Sequence, residues 1–371
     1  MMLAIQRYLR ANSLQAAVDE WAFRVQEHGS LVQLNYSSDS SLGVQEIEEC
    51  RGLILSKPDW DVVAYPFYRF YNEGESYAAC PDLSSSVLLE KLDGSLITLY
   101  WNPELKDWCV ATRGTILADA TSNWKKLSFQ SLFWQAVRKY LDVDFERLPK
   151  TVNLMFELIG PDNRVLTWYP EADLRLLAAR DLTTLEELDD EELDGLSGLL
   201  GIPRPKVFSF FSREDVLALL DTLDEKDEGF VLVDYDHKKD GNFLRIKVKN
   251  KRYLELAYRL HAGQLSILTP KNIIRMIRSD EVDEMLAYFP EFGSDVDSVR
   301  QKLGDLAAQI DRDFESVKHL GIDRKELAKI VGKMVCPKAI FWLLDGKLQS
   351  GRQFLMTCFE KTLFRLLGFF S

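Results

Sequence analysis

No two cysteines in this sequence lie close enough to form a CxxC pair. The five that occur, Cys50, Cys80, Cys109, Cys336 and Cys358, are scattered and odd in number. They support neither a zinc site nor a disulfide framework, so the reduced thiols of a cytoplasmic protein are expected. Histidine is scarcer still. His28, His237, His261 and His319 form no spaced cluster, and none is assigned to catalysis or metal. Long apolar runs are also missing. Gln6, Arg7 and Arg10 break the uninterrupted stretch that a signal peptide needs. Glu360, Lys361 and Arg365 break the greasy run from Phe354 to Phe370, so a buried helix is expected there and no membrane partner. Positive charge is short overall. A formal net charge of −12 argues against a sequence-blind nucleic-acid coat, but leaves room for a local basic groove on an acidic body. There is no internal repeat and no low-complexity segment.

What is present is an ordinary globular balance, with 46% hydrophobic and 28% charged residues in 371. That length predicts two domains. Apolar positions at helical spacing run from Leu3 to Gln26. Short strands are then expected at Leu31 to Tyr36, Leu53 to Leu55, Val62 to Tyr65, Val87 to Leu89, Leu96 to Trp101 and Trp108 to Thr112. An aromatic-rich helix follows from about Asn123 to Leu141, then strands at Val152 to Ile159, Leu174 to Ala179, Phe230 to Tyr235 and Phe243 to Val248. Two acidic stretches between them, Leu185 to Leu196 and Val216 to Glu228, read as exposed helices. After Lys251 only helical periodicity remains. The expected division is a mixed α+β domain over residues 1–252 and an all-helical C-terminal domain over 253–371.

The strongest chemical signal is Glu90-Lys91-Leu92-Asp93-Gly94-Ser95, set between two strands. A lysine at a strand junction can sit at the floor of a cleft, where desolvation and neighbouring cations make its amine a nucleophile. Asp93 can orient that amine or a metal-bound water. A solvated hairpin turn is the plain alternative for these six residues. Lys247 and Lys249 alternate with Ile246 and Val248, so both point to one face of a strand, suited to a triphosphate or a phosphate backbone. Glu157, amid Met155, Phe156, Leu158 and Ile159, is a carboxylate that needs a ligand, cation or hydrogen bond to be buried. Asp234 to Gly241 has the flavour of a calcium loop but lacks the acidic closing residue, and a hairpin turn is preferred. Phe208, Phe210 and Phe211 are read as core rather than as a base-stacking surface.

Further elements surround this one: Glu49-Cys50-Arg51-Gly52, Arg69-Phe70-Tyr71-Asn72, Thr112-Arg113-Gly114-Thr115, Phe156-Glu157, Glu228-Gly229 and Lys247-Val248-Lys249. In order and spacing they resemble the covalent nucleotidyltransferase superfamily of polynucleotide ligases and mRNA capping enzymes. Within it, the Arg51-Gly52 and Arg69 to Asn72 elements and the helical tail resemble the RNA ligase family typified by the phage T4 tRNA-repair ligase. The resemblance is carried by specific motifs over residues 50–250 and by architecture beyond them.

It implies an α+β nucleotidyltransferase (ATP-grasp-like ligase) domain of antiparallel sheets with flanking helices. It also implies an ATP-dependent RNA ligase that seals 5′-phosphate and 3′-hydroxyl ends through lysyl–AMP and adenylylated RNA, in RNA or tRNA repair. Lys91 would be the nucleophile, with Asp93, Lys247 and Lys249 also catalytic. Glu90, Arg51, Arg69, Glu157 and Glu228 would join Lys91, Lys247 and Lys249 in binding the nucleotide, and Glu157 and Glu228 would hold Mg2+ or Mn2+. The family usually has lysine where Arg69 and Arg113 align. The expected protein is a monomer whose partner is RNA, with tRNA as a candidate. The alternatives are another covalent nucleotidyltransferase, such as a DNA ligase or capping-type enzyme, or a non-catalytic RNA-binding protein that keeps the fold. Lys271, Arg275 and Arg278 share one helical face and are the tail's candidate phosphate contact.

Overall fold

The computed structural model describes residues 2–37, 40–41, 43–122, 127–140, 143–262, 269–279 and 281–369. Two units emerge, Met1–Tyr258 and Arg259–Ser371.

The first unit opens with α1 (Ala4–Ala11) and α2 (Leu14–Trp21), not with one helix to Gln26. Ser13 breaks the run because its side chain caps the amide of Ala16. Ala22, at φ 56°, then ends α2 and releases the chain into β1 (Arg24–His28). β2 (Leu31–Asn35), α3 (Gln45–Glu49), β3 (Arg51–Ser56) and β4 (Asp61–Ala64) follow. The next strands are β5 (Tyr71–Asn72), β6 (Ser86–Glu90), β7 (Ser95–Asn102) and β8 (Asp107–Thr112). α4 (Phe129–Val137) is capped by Ser128 and is shorter than expected; residues 123–126 and 141 of that expectation lie outside the described residues.

β9 (Val152–Ile159), β10 (Asp173–Asp181) and β11 (Glu186–Glu187) come next, then α5 (Asp190–Leu200). The acidic stretch from Leu185 therefore begins as a strand, and becomes helical only after the capping box of Asp189 and Glu192. β12 (Val207–Phe208) and α6 (Arg213–Thr222) precede β13 (Gly229–Lys239) and β14 (Asn242–Lys249). α6 stops at Thr222, so the second acidic stretch is helical only in its first half. α7 (Lys251–Ala262) follows β14 directly.

The strands form three sheets, ordered β1-β2-β3-β4, β11-β10-β9-β7-β8 and β12-β6-β13-β14-β5. All pairings are antiparallel except β14 with the two-residue β5. This is the expected α+β class with antiparallel sheets. Each sheet buries apolar residues against helices. Leu34 and Leu53 pack with Ile5 and Leu9 of α1, and Phe156 and Leu176 with Phe133 of α4. Leu88 and Phe230 pack with Val216 of α6. The second and third sheets meet in sequence at residues 91–94, between β6 and β7.

In the second unit, every described element from residue 269 on is a helix: α8 (Pro270–Ser279), α9 (Val282–Tyr288), a short 3-10 turn, α10 (Gly293–Val317), α11 (Arg324–Val331), α12 (Pro337–Leu344), α13 (Gly351–Thr357) and α14 (Glu360–Leu366). Their core runs along α10 through Val296, Val299, Leu303 and Ile310, all buried. Among the described residues no helix is long and apolar enough to cross a membrane.

Candidate active site at the junction of two sheets

Lys91 lies one residue past the end of β6, and its amide donates to the carbonyl of Gly229 at 2.9 Å. That bond sets the Lys91 segment beside the start of β13. Gly229 has φ 130°, and a Cβ there would run into the carbonyl of Val248, so only glycine lets β13 and β14 close up at this point. Gly94 is required for a different reason: a Cβ on it would overlap the carbonyl of Leu158 on β9. The two glycines let the backbone on either side of Lys91 pack against two different sheets.

The side chains converge on Glu228. Its Oε2 is 2.7 Å from Lys91 Nζ, and its Oε1 is 3.1 Å from Lys249 Nζ. Burial pushes the Glu228 carboxyl up, but Lys91 and Lys249 outweigh it and hold the group below its ordinary value. Glu157 lies on β9, with register partners Leu96 on β7 and Arg175 on β10. Burial pushes its carboxyl up to about 8, Lys91 pulls it back, and Glu228 and Asp93 add to the rise. Near neutral pH Glu157 is therefore mostly protonated.

Lys247 and Lys249 are only partly buried, while Ile246 and Val248 between them are buried, as alternation requires. Lys247 Nζ sits 5.1 Å from the Phe70 ring centre, and the Arg51 guanidinium lies 5.9 Å from the same ring. Arg51, at the start of β3, is partly buried, and its Nη1 is buried and unbonded. Burial lowers its pKa, Tyr36 raises it, and the nearby charges of Arg113 and Arg69 lower it further. Arg69 and Arg113 each stack 4.5 Å from the ring centre of Tyr36. Stacking of this kind suits a planar guanidinium better than an ammonium, which gives a physical setting for arginine at both positions. Tyr36 carried no functional signal in the sequence. Three guanidiniums gathered around one phenol form a strongly cationic patch, and an orphaned buried donor in it fits a phosphate oxygen.

Asp93 and Glu90 lie on either side of Lys91 in the sequence. Asp93 is only 4% exposed, and its carboxylate is taken up by residues other than Lys91. Its Oδ2 accepts the amides of Leu166 and Thr167 at 2.8 and 2.6 Å, and its Oδ1 accepts the Tyr253 hydroxyl at 2.9 Å. Its bonds hold two backbone amides and one phenol. Glu90 ends β6 opposite Phe230, partly exposed, with its amide donating to the Lys206 carbonyl at 2.8 Å.

Among the described residues no three His, Cys, Asp or Glu side chains form a cage for a metal ion. The two expected metal carboxylates fit unequally. Glu157 is kept protonated by burial, and a cation would reverse that cost. Glu228 already spends both oxygens on lysines. A divalent ion here would need substrate phosphates as co-ligands, which is the usual habit of Mg2+.

The tail's expected basic face is largely spent inside its own unit. Arg275 forms a forked pair with Glu360, Nη2 to Oε2 at 2.9 Å and Nε to Oε1 at 3.1 Å. Arg278 donates to the carbonyls of Met356 and Cys358, both at 2.8 Å.

Known proteins share parts of this sequence and fold. The model of a family described as RNA ligase matches residues 49–253. A curated relative named "Putative bifunctional polynucleotide kinase/RNA ligase" from Autographa californica nuclear polyhedrosis virus is 28% identical over 314 residues, covering 79% of this chain. The match takes in only 42% of that relative's own length. An RNA ligase of Rhodothermus phage RM378 is 25% identical over 326 residues, 72% of each chain. Among solved structures, a "Putative ATP-dependent DNA ligase from Aquifex aeolicus" aligns over 88% of this chain and 86% of its own with a TM-score of 0.50. At 14% identity that likeness speaks to the fold alone.

Proposed function

This chain belongs to the RNA ligase family, and from that premise we propose that it is an ATP-dependent enzyme sealing RNA ends through an AMP carried on Lys91. The observation that carries the reading is the Lys91–Glu228–Lys249 contact at the junction of two sheets. In the first step the Lys91 amine, once deprotonated, attacks the α-phosphorus of ATP. A P–N bond forms and the bond to pyrophosphate breaks. Lys247 and Lys249 face the same way along β14 and would stabilise the charge that builds on the phosphate oxygens. The patch of Arg51, Arg69 and Arg113 would hold the departing phosphates or the 5′-phosphate of the RNA. In the second step that 5′-phosphate takes the AMP from Lys91, giving a 5′–5′ pyrophosphate linkage. In the third a 3′-hydroxyl attacks the adenylylated end, the strand is sealed and AMP leaves.

A divalent ion, Mg2+ or Mn2+, would neutralise phosphate charge, held mainly by Glu157 together with the substrate. Glu157 also suits the ribose hydroxyls. Glu90 would border the nucleotide, and Asp93 would act by fixing the backbone around Lys91.

We further propose a division of labour, with the chemistry in residues 1–252 and RNA recognition in 253–371. Charge supports it. From residue 318 on the sequence has ten Lys or Arg against four Asp or Glu, in a chain whose net charge is −12. With Arg275 and Arg278 engaged, the exposed Lys325 and Lys329, four residues apart on α11, are the better candidates for phosphate contacts. A monomeric, cytoplasmic RNA-repair enzyme, with tRNA as a candidate substrate, is the reading we favour.

The test is incubation with α-labelled ATP and a divalent cation, followed by RNA carrying a 5′-phosphate and a 3′-hydroxyl. Label is expected first on the protein, then on the RNA end, then as free AMP with sealed RNA. A protein that never takes up label would sink the proposal.

A further inference from the structure

The segment joining β9 to β10 is held at both sides of one residue. Asn163 Nδ2 donates to the Leu158 carbonyl at 2.7 Å, and Arg164 Nε to the Leu166 carbonyl at 3.0 Å. The amides of Leu166 and Thr167 are fixed by Asp93, two residues after Lys91. The Thr167 hydroxyl donates to the carbonyl of Lys226, two residues before Glu228. The Tyr169 hydroxyl accepts the Asp93 amide at 3.2 Å. These bonds tie the loop to the rest of the unit, and Leu166 goes into the interior with them.

Trp168, between Thr167 and Tyr169, does not. Its side chain is 59% exposed, and Val165 on the same loop is 50% exposed. Tryptophan is on average a highly buried residue, so a rigidly mounted, exposed indole calls for a ligand. Its flanking bonds reach the segments that carry Lys91 and Glu228, which puts it at the edge of the candidate site. An exposed rim position suits a strand arriving from outside, not the adenine of ATP, which a nucleotide site encloses.

We infer that Trp168 is a stacking platform for the terminal base of the RNA strand that bears the 5′-phosphate. This rests on the proposed function, since that strand's phosphate takes the AMP from Lys91 and its first nucleotide comes nearest the loop. Stacking on an indole is tolerant of base identity, as an end-joining enzyme needs. The exposed ammonium of Lys226 beside the loop complements the strand's backbone. Because the loop is already fixed, little ordering accompanies binding.

The test compares the full-length wild type with W168A and W168F, using a short single-stranded RNA with a 5′-phosphate. W168A should bind this RNA about ten-fold or more weakly, the size of one base–aromatic stack, and W168F should recover much of the loss. Lysyl–AMP formation and its KM for ATP should be unchanged in both variants. Removing the base of the 5′-terminal nucleotide should weaken binding to wild type by a similar factor, and should cost W168A nothing further. Equal RNA affinity in wild type and W168A would overturn the inference. So would a raised KM for ATP with RNA binding intact, which would assign Trp168 to the nucleotide, or an abasic penalty that persists in W168A. A wild type that takes no label would defeat the enzymatic reading instead, and the binding comparison would still judge the platform.

Discussion

Two glutamates in the first unit are each held between two cations, and the pairs behave as opposites. Glu228 lies between Lys91 and Lys249, whose side chains are 20% and 12% exposed. Glu187 lies between Arg180 and Arg245, at 3.0 and 2.5 Å, with Arg180 and Glu187 fully sealed from solvent. Arg180 also donates to the carbonyls of Tyr65 and Leu185, at 2.9 and 2.7 Å, and to Asn242 Oδ1 at 2.6 Å. Its planar fork stitches β10 to segments that are distant in sequence. A lysine offers one compact charge and a transferable amine, whereas a guanidinium offers five fixed donors and stays charged. The open, lysine-lined triad is arranged for a visitor. The sealed, arginine-lined one fastens the fold.

The sharpest way to break that contrast is Lys91→Ala. It should abolish transfer of AMP to the protein yet leave sealing of pre-adenylylated RNA, because the last step needs no lysyl adduct. Label that persists on the variant would put the nucleophile elsewhere. Next in size, Lys247→Ala and Lys249→Ala should each slow ligation by about two to three orders of magnitude. Lys247→Ala should unfold near the wild-type temperature, whereas Lys249→Ala also removes one of the two cations paired with the buried Glu228 and should unfold somewhat earlier. Near-normal ligation would make them merely solvated lysines.

Glu187→Ala should do the reverse. Leaving two buried guanidiniums without their carboxylate costs on the order of 3–5 kcal/mol, read by urea unfolding. Adenylylation per folded molecule should be retained. A variant as stable as the wild type would remove the distinction between the two triads.

The last effect, read as a change with pH, concerns Glu157. Its carboxyl is raised from the ordinary 4.5 to about 8. The folded state therefore holds this proton more tightly than the unfolded chain does. The stability it contributes is full below pH 4.5 and is lost as pH rises through about 8. Glu157→Gln is neutral throughout and escapes that loss. Its melting temperature should gain on the wild type between pH 4.5 and 8 even though its ligase activity falls. A difference that does not change with pH would mean that Glu157 is already ionised in the folded state.

The open triad was far more legible in the sequence than the sealed one. Lys247 and Lys249 announce themselves by alternation on one strand, and Lys91 by its place between two strands. Glu187 sits in an acidic stretch that reads as an exposed helix, because its partners lie 7 residues back at Arg180 and 58 ahead at Arg245. No local pattern could reveal them. The first helix was overextended for a related reason. Its apolar spacing continues past Ala22, but Ser13 and the left-handed turn at Ala22 redirect the chain into a strand whose partner, β2, stabilises it. Asp93 lies two residues from Lys91 in the sequence, but what its carboxylate holds depends on amides 73 and 74 residues away. Arg275 and Arg278 do share a helical face, and what the sequence hid was that Glu360 and two carbonyls of the same unit had already claimed them.

The bond from Tyr253 to Asp93 spans 160 residues of chain. It bears on anyone who would build a smaller version of this protein. A gene ending at codon 252, where strands give way to helices in the sequence, would discard one phenol and strand an oxygen of a sealed carboxylate two residues from Lys91. A gene ending at codon 258 keeps it. The shortest useful product is thus set by a single hydroxyl in the first turn of α7, not by the last strand.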